Sequence, residues 1–265
     1  MVVEKVSIVC YNKAINKGGD TVARFFVAAS NIFGGIAYLN GEDLDHIKAL
    51  RIRDGEMFTV CDGEGTDYSC VLSKVDKDTA EVQILDKSPS KGEPSVNCTV
   101  YMAYAKGDKI EHVVQKAVEL GASEIVLFPS KRCVSRPEGA AIIKKTARYS
   151  KIAEEAAKQC GRGRIPTVIT APNYKTAIEM AVKADMPLFC YEDEKELSIK
   201  TALEGNPDMK TVSIVTGPEG GFEPEEAALA IEMGMKCVTM GTRILRCETA
   251  PLCALTAVMY ATGNL

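Results

Sequence analysis

The chain has 265 residues, 46% of them hydrophobic and 26% charged, which is too apolar for a disordered protein and enough to bury a sizeable core. At about 100 to 200 residues per domain this is one large or two modest domains, and no apolar run of about 18 or more residues offers a membrane span. The net charge of −4 hides an asymmetry: residues 1–105 carry −4, residues 106–164 carry +6 and residues 165–265 carry −6. A basic middle between acidic flanks fits a protein with one anion-facing surface, although solvated helix faces would give the same count.

The opening MVVEKVSIVCYNK lacks the charged start, long apolar middle and small-residue cleavage site of a secretory signal, so a cytoplasmic location is expected. Residues 1–22 fit neither of the parts that follow and are read as an extension of open role. Residues 23–90 read as a small β-rich domain. RFFVAA, GIAYL, EMFTVCDG, TDYSCVLSKV and TAEVQILDK carry β-branched or aromatic residues between turn signals such as Asp62-Gly63. EDLDHIKALR alone has helical spacing there, with Leu44, Ile47 and Leu50 on one face. His46 on this helix is expected to be satisfied locally. The polar KSPSKGEPS, residues 87–95, with two prolines and a glycine, is read as the linker.

From residue 95 to residue 265 the rhythm becomes strand, helix, strand, helix. NCTVYMAYA, EIVLFP, MPLFCYE, TVSIVTG and KCVTMG are short apolar strands. KIEHVVQKAVELGA, GAAIIKKTARYSKIAEEAAKQCG, PEEAALAIEMG and ETAPLCALTAVMYATG are helices. This alternation predicts an α/β domain, a mostly parallel sheet with helices on both faces.

Two strand ends carry the chemistry. After TVSIVT comes Gly217-Pro218-Glu219-Gly220-Gly221-Phe222, then a helix from about Pro224 with Glu225 and Glu226 in its first turn. Ligands in open α/β sheets sit beyond the carboxyl ends of strands, where glycines let the backbone come close. Three glycines and a proline in five residues exceed what a tight connection needs, and a side chain at Gly220 is expected to intrude and to strain the backbone. The second strand end, KCVTMGTRILRCETAPLCAL, places Gly241, Arg243, Leu245 and Arg246 before a helix. Guanidinium groups suit phosphates and base edges, though a solvated surface loop is the plain alternative. Neither segment is a GxGxxG dinucleotide fingerprint, and no GxxxxGK[ST] occurs, which disfavours a Rossmann dehydrogenase and a P-loop nucleotidase.

Lys109, His112, Gln115, Lys116 and Glu119 share a helix, and Gln159, Arg162 and Arg164 crowd the end of another, with Lys131, Arg132 and Arg136 in a loop. Such long polar donors suit phosphates. Ten cysteines without a CxxC pair read as reduced core thiols, and two distant histidines, His46 and His112, argue against a metal site. Cys247, beside arginines but with no nearby histidine, is a poor candidate nucleophile.

KGDKIEHVVQKAVELGASEIVLFPSKRCVSR, RYSKIAEEAAKQCGRGRIP, VTGPEGGFEPEE and MGTRILRCETAPLCAL resemble, in order, the motifs of the RsmE-type 16S rRNA uridine N3-methyltransferases of the SPOUT superfamily. RFFV and DHIKALRIRDGEMFTVCDGEG resemble that family's N-terminal RNA-binding domain. The likeness spans about residues 24–263; Cys247 stands where the family pattern has threonine. The resemblance implies a PUA-like β-barrel before a trefoil-knotted, S-adenosylmethionine-binding α/β domain, and methylation of a uridine N3 in 16S rRNA, in the assembled 30S subunit, by a homodimer. It implies cofactor contacts from Tyr191, Gly217, Pro218, Glu219, Gly220, Gly221, Met240, Gly241, Ile244, Leu245, Thr249 and Ala250. From the chemistry of a weakly acidic uridine N3 rather than from the resemblance, Arg246 is the candidate to stabilise the developing charge and Glu219 or Glu248 the candidate to take the proton. RNA contacts fall to Arg24, Arg51, Lys116, Arg132, Gln159, Arg162 and Arg164, and the apolar face Leu252, Leu255, Val258 and Met259 of the last helix to the dimer. A related methylase acting on a ribose 2′-hydroxyl, and an RNA-binding protein without activity, are the alternatives.

Overall fold

A computed structural model of the chain describes residues 14–15, 21–206 and 208–265; most of the 1–22 extension lies outside them. It divides into two compact units, residues 1–92 with 158–164, and residues 93–157 with 165–265.

In the first unit, β1 (Ala14–Ile15) and β2 (Thr21–Val22) form a short antiparallel pair. The main sheet comprises β3 (Arg24–Phe26), β4 (Ile32–Phe33), β5 (Ile36–Leu39), β6 (Met57–Cys61), β7 (Thr66–Val75) and β8 (Ala80–Pro89). Their order is β3-β6-β7-β8-β5-β4, antiparallel apart from the β3–β6 pair. Alternate residues point inward: Phe25, Ala37, Leu39, Phe58, Val60, Cys70, Leu72, Ala80 and Val82 form one core cluster. Phe25 meets Phe58 edge-on at 5.5 Å. Helix α1 (Gly41–Leu50) adds Leu44 and Ile47 to that core, while Leu50 is 44% exposed. The helix stops there: Arg51 adopts a left-handed φ of 54° at its C-cap, so Leu50 belongs to the last, outward turn. His46 packs edge-on against Phe25.

β8 runs on to Pro89, through the first residues of the stretch read as linker. Lys87, Ser88 and Pro89 pair with Tyr68, Asp67 and Thr66; the proline holds the strand's last position, and the Ser90 N–H just after it donates to the Gly65 carbonyl at 2.9 Å.

In the second unit β9 (Asn97–Ala103), β10 (Glu124–Phe128), β11 (Thr167–Thr170), β12 (Met186–Cys190), β13 (Thr211–Thr216) and β14 (Lys236–Val238) make a wholly parallel sheet ordered β11-β10-β9-β13-β12-β14. Its inner strands are buried along nearly their whole length, as strands covered on both faces must be. The helices are α2 (Lys109–Glu119), α3 (Ala140–Cys160), α4 (Tyr174–Ala181), α5 (Ile199–Glu204), α6 (Pro224–Glu232) and α7 (Thr249–Ala261). Both α4 and α7 lie against β9 and β13. Neighbouring strands are only about 4.8 Å apart, whereas packed helices need about 8–10 Å, so the two helices cover opposite faces. α2 and α5 join α7 on its face, and the Tyr174 hydroxyl of α4 donates to the Glu226 carbonyl of α6 at 2.6 Å.

Leu255, Val258 and Met259 of α7 are fully buried within the chain's own core. This overturns the expectation that they form a docking face: an apolar helix in a parallel α/β layer is consumed by its own sheet. The outward side of α7 instead shows Cys253, Thr256 and Tyr260, the last 77% exposed.

Candidate active site

Because β12 pairs in parallel with both β13 and β14, with Phe189 opposite Val215 and Cys237, the carboxyl ends of the three strands lie side by side. The segments leaving them therefore meet. A cleft of about 470 Å³ is lined by Tyr191 and Glu192 after β12, Thr216 at the end of β13 and Gly217 to Gly221 after it, and Thr239 to Gly241 and Arg243 to Cys247 after β14. Lys109 joins them at the start of α2, because β9 is the other neighbour of β13.

The glycine loop is fixed at several points. Phe222 is buried and packs on Phe189 at 4.6 Å, Tyr174 at 5.8 Å and Phe128 at 6.5 Å. Gly217 lies so close to Phe222 that a Cβ there would meet its ring at 3.3 Å. Gly221 has φ +69°, and a Cβ on it would run into the Glu192 carboxylate. The strained backbone thus belongs to Gly221 and not to Gly220, whose φ is unexceptional and whose added Cβ would meet the Arg132 side chain at 3.2 Å. α6 starts with a capping box: the Glu223 N–H donates to Glu226 Oε2 at 3.0 Å. The other Glu226 oxygen accepts from the Lys131 N–H at 2.9 Å, which satisfies a carboxylate only 4% exposed.

The Glu219 carboxylate accepts from the Lys106 N–H at 2.9 Å and Lys109 Nζ at 3.0 Å. Burial works to raise its pKa, but these hydrogen bonds prevail and leave it below the ordinary carboxylate value. Lys109 also lies 3.6 Å from Glu248. The Glu248 carboxyl is held low by its own backbone N–H, with the Cys247 thiol and Lys109 adding to the effect. Burial, then Glu248, pushes the Cys247 thiol up to about 11, which disfavours the thiolate that nucleophilic chemistry needs.

Of the residues expected around a cofactor, Tyr191, Gly217, Pro218, Glu219, Gly220, Gly221, Met240, Gly241, Ile244, Leu245 and Ala250 line the cleft, as does Arg246; Thr249 and Glu248 do not. Lining residues that the sequence reading did not assign to it include Lys109, Thr216 and Thr239. Thr216 and Thr239 were reachable by extending each strand end, whereas Lys109 enters through strand adjacency, which leaves no local signal.

The residues present fit S-adenosylmethionine. Apolar Val238, Met240, Ile244 and Leu245 suit an adenine, and close-approaching glycine backbone supplies hydrogen-bonding groups. The carboxylate of Glu192 and the cations Arg243, Arg246 and Lys109 match a ligand that carries both signs of charge. The volume falls within the roughly 300–1,000 Å³ of small-molecule sites.

The expected RNA contacts divide. Arg51, Gln159 and Arg164 are exposed; Lys116 is half-buried and pairs with Glu119 at 2.8 Å. Arg24 instead forms a two-pronged pair with Asp67 at 2.7 and 2.6 Å and donates to the Arg162 carbonyl at 3.2 Å. Arg162 is 3% exposed. These two guanidinium groups serve the fold, since a buried arginine without its partners would be strongly unfavourable. Arg132 donates to the Gly220 carbonyl and to Glu223. Among the described residues no cluster of histidine, cysteine or carboxylate groups is arranged to hold a metal, and no helix is long and apolar enough to cross a membrane.

Comparison with known proteins agrees with this geometry. An RNA methyltransferase domain model matches residues 92–259, and an RNA methyltransferase PUA domain model matches residues 39–85. The Bacillus subtilis ribosomal RNA small subunit methyltransferase E is 33% identical over 233 residues, covering 86% of this chain and 91% of that protein. The protein of the same name from Aquifex aeolicus is 30% identical over 233 residues, covering 85% and 95%. A Neisseria gonorrhoeae ribosomal RNA small subunit methyltransferase E, solved bound to S-adenosyl methionine, superposes with a TM-score of 0.75 at 32% identity over 90% of this chain and 97% of that one. A Legionella pneumophila protein solved with the same cofactor gives 0.80 at 26% identity, over 91% and 98%. With a domain model across most of its length and relatives a third identical nearly end to end, this chain belongs to the RNA methyltransferase family that includes the ribosomal RNA small subunit methyltransferase E proteins.

Proposed function

We propose that this chain methylates N3 of a uridine in the 16S rRNA of the small subunit, in the cytoplasm, as a homodimer whose C-terminal unit carries the trefoil-knotted cofactor site. The observation that carries the reading is the cleft, where a glycine loop and an arginine-bearing loop meet at one edge of a parallel sheet. The names of the relatives and the cofactor bound to the neighbouring structures support the same reaction.

S-adenosylmethionine, when bound, supplies an electrophilic methyl group. The chain's own task is to make N3 nucleophilic. The nitrogen carries a weakly acidic proton and attacks well only once that proton leaves and the charge spreading to O2 and O4 is stabilised. Arg246, exposed on the cleft lining, presents the guanidinium fork suited to that charge. Both candidate carboxylates are held below the ordinary carboxylate value, so each is ionised at neutral pH and able to accept a proton. Glu219, which lines the cleft and accepts from Lys106 and Lys109, or Glu248 takes the proton, directly or through water. Thr249 opens α7 next to Glu248. Arg51, Lys116, Gln159 and Arg164 are the proposed phosphate and sugar contacts, with the uridine withdrawn from its stack.

The test incubates the protein, labelled cofactor and 30S subunits lacking the modification, then digests the rRNA to nucleosides. Label is expected in 3-methyluridine. Label in a ribose-methylated nucleoside would transfer the assignment to the 2′-hydroxyl alternative, and no transfer at all would favour RNA binding without activity. In the same assay Arg246→Ala should lower turnover about a hundredfold with little change in cofactor affinity.

A further inference from the structure

We infer that Arg132, although it lies in the basic stretch that invites an RNA role, is a positioning residue for the cofactor loop. The inference rests on the reading of the cleft as an S-adenosylmethionine site. Arg132 does not line the cleft; Gly220 does. The guanidinium spans both ends of the segment from Gly220 to Glu223. Nη1 donates to the Gly220 carbonyl at 2.9 Å, Nε lies 2.9 Å from Glu223 Oε1, and Nη2 donates to Glu223 Oε2 at 3.0 Å. Between these anchors stand Gly221, with its left-handed φ, and the buried Phe222.

The side-chain stem takes part as well. A Cβ on Gly220 would lie 3.2 Å from the Arg132 Cβ, so the arginine packs along the outer surface of the loop whose inner surface faces the cleft. The neighbouring Lys131 repeats the connection, with its N–H on Glu226 and its ammonium 3.4 Å from Glu225. The turn after β10 thus holds the loop after β13.

A simple ion pair this exposed would contribute little. What distinguishes Arg132 is a planar fork that sets three nitrogens on three oxygens of two residues in fixed relation, which a lysine cannot reproduce. For the same reason an RNA phosphate would have to displace Glu223 or the Gly220 carbonyl to take this guanidinium.

The experiment compares the unaltered protein with Arg132→Ala, Arg132→Lys and Glu223→Gln. Calorimetry without RNA gives cofactor affinity, and binding of small-subunit RNA from low to high salt gives the number of phosphate contacts. Both Arg132 variants should weaken cofactor binding about tenfold, the lysine failing to rescue despite its charge, and Glu223→Gln should weaken it less. The slope of log affinity against log salt should not change. Loss of a phosphate contact would reduce that slope by about 0.7–0.9 and overturn the assignment, as would unchanged cofactor affinity in Arg132→Ala. The lysine variant, which keeps stem and charge, guards against a folding defect, and thermal melts of all four proteins should agree within a few degrees. If the unaltered chain takes up no cofactor, the cofactor reading itself fails. Normal uptake with unaffected variants refutes only the role of Arg132.

Discussion

At Gly221 two penalties coincide: a φ of +69° that side chains adopt reluctantly, and the Glu192 carboxylate where a Cβ would stand. Gly221→Val is therefore expected to reduce S-adenosylmethionine affinity by at least a hundredfold in calorimetry, with the far-UV spectrum preserved. At Gly220 the obstacle is the Arg132 Cβ at 3.2 Å, on the outer side of the loop, so Gly220→Ala should lose only a few-fold. The reverse ranking would mean that Gly220, and not Gly221, is the position the cofactor loop cannot surrender. That this loop mattered was legible in the sequence, since glycines and a proline crowd directly behind an apolar strand. Which glycine bears the strain was not, because φ is set by how Phe222 and Glu223 are anchored downstream.

Among the elements, β3 and β7 are joined by the Arg24–Asp67 pair, to which the Ser90 hydroxyl also donates. Burial works to raise the Asp67 carboxyl, but Arg24 and Ser90 outweigh it and hold its folded-state pKa below the ordinary carboxylate value. A depressed carboxylate contributes stability above its unfolded pKa and loses it as pH falls through the folded value. Denaturant melts of the wild type should therefore lose stability below about pH 4, more steeply than those of Asp67→Asn. At neutral pH Arg24→Ala should cost about 3 kcal/mol, because it strands a half-buried carboxylate. An Arg24→Ala melt matching the wild type would return Arg24 to the RNA-contact group.

Element by element, strands with clear alternation were readable: TDYSCVLSKV coincides with β7 residue for residue. β11, α4 and α5 escaped notice. They have 4, 8 and 6 residues, too short for periodicity to stand out, and they hold their form through tertiary packing. The boundary between the units falls inside the stretch read as linker, but Lys87 to Pro89, which look like loop chemistry, find partners on β7 and are strand.

For the whole molecule, a dimer has to be built from surface that the chain leaves free. Leu255, Val258 and Met259 are unavailable, so we expect the outward side of α7, around Thr256 and Tyr260, to take part. Light scattering at micromolar concentration should give twice the 28.6 kDa of one chain, and Tyr260→Glu should shift the particle towards a single chain. A 28.6 kDa particle for the unaltered protein would refute the dimer.

The return of residues 158–164 to the first unit bears on how the protein is made. As the chain emerges from a translating ribosome, residues 1–92 appear first, yet the Gly163 carbonyl that receives the Cys61 thiol and the Arg162 carbonyl that receives Arg24 have not been synthesised. The first unit cannot complete itself until about seventy more residues have followed, so a gene fragment cut at Gly92 encodes an unfinished object. Folding here is not strictly vectorial, and the N-terminal unit waits on a segment supplied from within the other unit's stretch of sequence.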